Sequence, residues 1–95
     1  MTDLENRFDL AMYDIYRRAK SECHYDATRF LLMLKTKGGL ATAKELLHND
    51  KSYEGLIHLI LCNCKHLTVE AHVLLPEFAA LFTEEEKRIA RSRLE

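Results

Sequence analysis

Apolar residues recur at intervals of three and four along most of the chain, the spacing of one face of an α-helix. Leu4, Phe8, Ala11, Met12, Ile15 and Ala19 make the first such stripe, and Asp9, Asp14, Arg17, Arg18 and Lys20 occupy the other side. Thr2 followed by Glu5 fits a capping box, so a first helix is expected over residues 3–22. Ala27, Phe30, Leu31 and Leu34 define a second helix with Asp26 as its expected N-cap. It should close at Gly38-Gly39, where a missing Cβ permits a left-handed turn. Leu40, Ala43, Leu46 and Leu47 predict a short third helix, and Asn49-Asp50-Lys51-Ser52 reads as a polar turn.

Residues 53–64 are apolar on nearly every side, with Leu56, Ile57, Leu59, Ile60 and Leu61 among them. Periodicity alone does not separate a buried strand from a buried helix here. A lone strand in a helical chain has no neighbour for its backbone groups, so this segment is read as the central helix. Thr68 is the expected cap of a further short helix carrying Val69, Val73 and Leu74, and Pro76 interrupts or restarts it. Phe78, Leu81 and Phe82 continue its apolar face. Thr83 and Glu86 form a second capping box, followed by a helix whose basic end (Arg88, Arg91, Arg93) suits the helix dipole. The expected fold is all-α: a compact orthogonal bundle of five to six short helices forming a single helical domain over residues 1–95.

Composition agrees with this reading. Apolar residues make up 47% and charged residues 31%, a globular balance, and three Gly with one Pro supply little of the punctuation that sheets need. The net charge of −1 creates no global field toward nucleic acid or membrane. The longest apolar stretch, near residues 56–62, is too short to span a bilayer. Met1-Thr2-Asp3-Leu4-Glu5 is acidic and lacks the apolar run of a signal peptide. Three cysteines without a framework spacing suit small core residues in a reducing compartment, so a cytoplasmic location is expected.

Charge distribution says more than the total. Residues 15–44 hold seven basic side chains (Arg17, Arg18, Lys20, Arg29, Lys35, Lys37, Lys44) against two acidic ones (Glu22, Asp26). Within that tract two short helices meet across Thr36-Lys37-Gly38-Gly39, as in a helix-turn-helix unit. On that alternative Thr42 and Lys44 would face the major groove, with Arg29, Lys35 and Lys37 placed for phosphates. The third helix offers no Asn, Gln or Arg on its outer face for base readout. Tyr13, Tyr16 and Arg17 on the less apolar side of the first helix suit a protein interface instead, because tyrosine and arginine often anchor contacts. Tyr25 and Tyr53 sit near helix starts.

Catalytic and metal chemistry leave weaker marks. Cys23, His58, Cys62, Cys64 and His66 crowd potential ligands, but a helical C-x-C would point its two sulfurs apart, so no metal is expected. Glu45-Leu46-Leu47-His48 is one copy of a motif that di-iron bundles use twice. Arg18 and His24 have the spacing of the R-x₄₋₆-H signature of HEPN-type ribonucleases, a third and weaker reading. Phosphate-loop, dinucleotide and hydrolase signatures are absent from the sequence, and no cofactor is implied. Arg29 and Glu70, each beside an apolar run, are expected to pair in a salt bridge.

Tyr25-Asp26-Ala27-Thr28-Arg29-Phe30-Leu31, Gly38-Gly39-Leu40-Ala41-Thr42-Ala43, Leu67-Thr68-Val69-Glu70 and Leu81-Phe82-Thr83 together carry a resemblance. The chain resembles a family of small bacterial all-helical proteins of unknown function, over nearly its whole length. That resemblance implies bacterial or phage origin and one all-α fold, and it transfers no catalytic residue. The cysteine-bearing segment before Leu67 departs from the more polar stretch expected there. The expected function is a non-catalytic module binding a protein partner through its first three helices, with DNA binding as the alternative and no membrane association.

Overall fold

In the computed structural model, which describes residues 3–49 and 54–94, the first apolar stripe becomes the inner face of one long helix. This helix, α1 (Asp3–Cys23), buries Phe8, Met12, Ile15, Ala19 and Cys23 at steps of four and three. Five further helices follow: α2 (Thr28–Lys37), α3 (Gly39–Leu47), α4 (Glu54–Leu61), α5 (Val69–Val73) and α6 (Glu84–Leu94). Short 3-10 segments occupy Lys65–Leu67 and Pro76–Leu81. There is no strand among the described residues, and the molecule measures 32 × 27 × 22 Å, an all-α bundle. Thr2, Asp50, Lys51, Ser52 and Tyr53, which figured in the expected first capping box, polar turn and central helix, lie outside the described residues.

The main core collects side chains from every helix except α4, with Phe8 against the rings of Phe78 and Phe82. These two pairs are edge-on, with centroids 5.0 and 5.3 Å apart, a geometry in which a ring's positive edge meets its neighbour's negative face. A smaller cluster joins Ala19, Cys23, Leu59, Cys64 and Leu67, with Tyr25 packed against it.

The expectation of a central helix over residues 53–64 is not met; α1 holds the centre and α4 lies at an edge. Leu56 and Leu59 are buried, while Ile57, Ile60 and Leu61 face outward, Leu61 being 82% exposed. An apolar composition says only that every face could be buried, and α4 has core to meet on one side alone. The helix stops at Leu61 because Asn63 takes a left-handed φ of 61°. The Asn63 N–H then bonds the Ile60 carbonyl at 3.0 Å and the Cys64 N–H bonds the Leu59 carbonyl at 2.7 Å, a Schellman closure.

Helix ends are fixed partly locally and partly by distant groups. Gly38, at a φ of 85°, returns its N–H to the Leu34 carbonyl and closes α2 as expected. A Cβ on Gly39 would lie 2.8 Å from the Cα of Asp9, so glycine lets α3 start directly against α1. Asp9 Oδ1 accepts from the Gly39 N–H at 2.6 Å, placing a carboxylate at the positive end of the α3 dipole. The expected solvent-facing Asp9 is therefore a tertiary cap. Asp26 does not cap α2, whose N-cap is Ala27; its carboxylate accepts from the hydroxyls of Tyr16 and Thr28 instead. Thr68 accepts from the Ala71 N–H at 3.1 Å, as expected. Both bonds of the Thr83–Glu86 box form, at 3.1 and 2.8 Å.

The expected Arg29–Glu70 bridge is replaced by Arg93–Glu70 at 3.1 Å, with side chains only 3% and 6% exposed. Arg29 sits exposed on α2, while α6 runs across α5 and carries Arg93 inward. The same guanidinium donates to the carbonyls of Leu46, Leu47 and Asn49 at 2.9, 3.1 and 3.0 Å, so it caps the end of α3. Arg93→Met leaves a carboxylate and helix-end carbonyls buried without their cation, and is expected to lower the unfolding free energy by about 3–5 kcal/mol. Urea denaturation checks this. Adding Glu70→Gln should recover part of the loss, whereas Arg93→Lys should recover little, because an ammonium lacks the planar fork.

Candidate functional site

Two of the depressions on the described surface gather candidate residues. The first is an open groove of about 890 Å³ between α1, α2 and the start of Pro76–Leu81. Its lining includes Leu10, Tyr13, Tyr16 and Arg17 of α1, Leu31 and Lys35 of α2, and Leu75, Glu77 and Phe78 further along the chain. Leu10 is 68% exposed. The second is a crevice of about 580 Å³, walled by Ile15, Phe30, Leu56 and Leu59, with Arg29 and Glu70 among its polar lining.

The three residues expected to form a protein interface thus share one groove. Tyr13 packs partly on the core, which fixes its ring. Tyr16 donates its hydroxyl to Asp26 Oδ1 at 2.9 Å. That hydrogen bond, with burial and the Asp26 charge adding to it, raises the Tyr16 pKa, and the same bond with that of Thr28 lowers that of Asp26. Arg17 pairs with Asp14 at 3.1 Å, and Arg7 with Glu77 at 3.9 Å. Exposed pairs of this kind contribute at most about 1 kcal/mol, so a partner can exchange them for its own charges.

The nucleic-acid set behaves differently. Thr42 is 0% exposed, on the face of α3 that meets the core, and it cannot reach a base. The start of α3, the part that should enter a major groove, is packed on Asp9 of α1. Lys44 is engaged by Glu86 at 2.7 Å and lies over the Phe82 ring, 5.2 Å from its centroid. Lys37 pairs with Glu45 at 2.8 Å. Arg29 and Lys35 are exposed but line different depressions, the crevice and the groove.

The remaining candidates do not assemble into a site. Arg18 pairs with Glu22 at 2.8 Å, and His24 is exposed after the end of α1. Glu45 turns to Lys37 while His48 turns to Glu86, so the Glu-x-x-His pair serves two separate contacts. His58 stacks on Tyr25, with centroids 4.6 Å apart, and His66 lies 3.9 Å from Glu22. No group of three or more His, Cys, Asp or Glu is placed to hold a metal ion among the described residues. The cysteines are not simply core residues: Cys23 and Cys64 form a disulfide, and Cys62 is free and exposed. Their partnership spans 41 residues, and no local spacing discloses it. Among the described residues no helix is long and apolar enough to cross a membrane.

Leu10 and Leu75 are apolar groove residues that the sequence pattern did not mark. Leu10 left a trace, being an apolar side chain two positions from Phe8 and Met12, off the buried stripe and among the polar residues of that helix. Leu75 carries no such trace. Neither protein-family models, curated proteins nor solved structures include a match to this chain.

Glu86 makes a measurable signature of the fold beneath Lys44. Burial pushes its carboxyl up, but hydrogen bonds from Lys44, the Thr83 N–H and His48, with the Lys44 charge, outweigh this and hold its pKa at about 2 against an ordinary 4.5. Below pH 4.5 the unfolded chain takes up a proton that the folded protein refuses. Stability present above that pH is therefore lost as pH falls toward about 2, by about 3 kcal/mol in total. Urea denaturation at a series of pH values from about 7 down to about 2.5 should show this fall in the parent protein. Glu86→Gln should be less stable at neutral pH and show a flatter acid limb.

Proposed function

We propose that this protein is a non-catalytic interaction module whose α1–α2 groove takes a segment of a protein partner. The observation that carries the reading is Leu10, an exposed leucine set beside Tyr13, Tyr16 and Arg17. Burying such a side chain at an interface contributes about 1.5–3 kcal/mol, and flanking tyrosines add contact area at low entropic cost. The rim is mixed in sign, with Arg7, Arg17 and Lys35 alongside Asp14 and Glu77. Asp14 and Glu77 hold Arg17 and Arg7 in ion pairs, and the apolar floor offers phosphates no partner, which favours a protein segment over a duplex.

Affinity capture from the native host, comparing the parent protein with Leu10→Asp and Tyr13→Ala, tests this reading. A partner retained by the parent and lost by about tenfold or more with Leu10→Asp is expected, since 1.4 kcal/mol is a factor of ten. Undiminished capture by both variants would place the interface elsewhere. A labelled random-sequence duplex serves as the counter-test: binding that weakens steeply with salt would favour DNA instead.

A further inference from the structure

Two turns bring all three cysteines to one place. α1 ends at Cys23, where His24 takes a left-handed φ of 53°, and α4 ends in the Schellman closure at Asn63, with its φ of 61°. Because the helix has already stopped, the Cys62-Asn63-Cys64 segment is not helical, and both of its cysteines approach the end of α1. Cys23 and Cys64 are joined and nearly sealed, at 6% and 7% exposure. Cys62 is exposed, and its Sγ lies 3.9 Å from the main-chain oxygen of Cys23. Cys64 Sγ is in turn 3.5 Å from the main-chain oxygen of Cys62.

We propose that Cys62 is the relay thiol of a thiol–disulfide exchange site, through which low-molecular-weight thiols reduce the buried Cys23–Cys64 bond. An external thiolate must approach a disulfide sulfur in line, and access limits that attack when both sulfurs are covered. Cys62 Sγ is already held at the Cys23 backbone, 3.9 Å from its main-chain oxygen, so its attack is intramolecular. Its thiolate attacks Cys23 Sγ, the Cys62–Cys23 bond forms, the Cys23–Cys64 bond breaks, and Cys64 leaves as a thiolate that takes up a proton. No electrons enter in this step; the disulfide has moved to an exposed residue. A thiolate RS⁻ then attacks Cys62 Sγ, giving a Cys62–SR mixed disulfide and releasing Cys23, which is protonated. A second RS⁻ displaces Cys62 and departs as RSSR. The sum is one disulfide and two RSH converted to two protein thiols and RSSR, with both electrons and both protons supplied by the small thiol.

The test follows reduction of the oxidised full chain by glutathione, quenched at intervals with N-ethylmaleimide and read by mass spectrometry. The parent is expected to lose the Cys23–Cys64 link about tenfold faster than Cys62→Ser, because access governs the direct route. Tandem spectra of non-reduced digests should also contain a Cys23–Cys62 link. Alkylating Cys62 in the folded, oxidised parent provides the same block without a substitution, should Cys62→Ser fold poorly. Equal reduction rates with Cys62 blocked would overturn the proposal. So would free labelling of all three cysteines in the oxidised protein.

Discussion

A guanidinium buried where three helices meet is the constraint on which the arrangement depends. Arg93 receives its countercharge from Glu70 on α5 and its remaining acceptors from carbonyls at and just beyond the end of α3. A helix end leaves carbonyls without intrahelical donors, and sealing such an end in a protein requires donors from elsewhere. A buried arginine likewise requires acceptors. Each deficit answers the other, so α3, α5 and α6 can be covered only in the mutual placement that brings both together. Lys44 and Glu86 repeat the arrangement between α3 and α6, with one carboxylate serving a helix start and a lysine at once.

Features that depend on neighbours three or four residues away were legible in the sequence. The α1 stripe, the Thr68 cap, the Thr83–Glu86 box and the Gly38 stop all appear as read, because their physics is local. Features that depend on which helices meet were not. Arg93 and Glu70 are 23 residues apart, and nothing near either residue marks Arg93 rather than Arg29 as the partner. Thr42 looked like a surface residue because threonine is polar, yet α3 is pressed onto α1 at Gly39 and turns Thr42 inward. The segment around α4 misled in the opposite sense: its composition suited a centre, and its position is an edge. Of the candidate groove, Tyr13, Tyr16 and Arg17 were readable on one helix, whereas Leu75 joins them only through the path of the chain.

The basic tract of residues 15–44 illustrates the same limit for charge. Arg17, Lys37 and Lys44 pair with Asp14, Glu45 and Glu86, acids that lie outside the tract in sequence and beside it in space. Arg18 and Lys20 pair with Glu22 and Asp26 within it. Electrostatic potential depends on distance through space, so a window of sequence overstates the field that the surface presents. What remains of that field is distributed between the groove and the crevice, through Lys35 and Arg29.

The edge position of α4 has a consequence for motion. Leu56, Leu59 and the Tyr25–His58 stack hold it from one side, and the main core draws nothing from it. Segments with few buried contacts open in sub-global steps of low free energy, while the centre stays folded. The backbone amides of α4 should therefore exchange their hydrogens with solvent well ahead of those in the middle of α1. The cross-link just beyond the helix limits how far such an opening travels, so the molecule breathes at α4 on a short leash rather than unravelling from it.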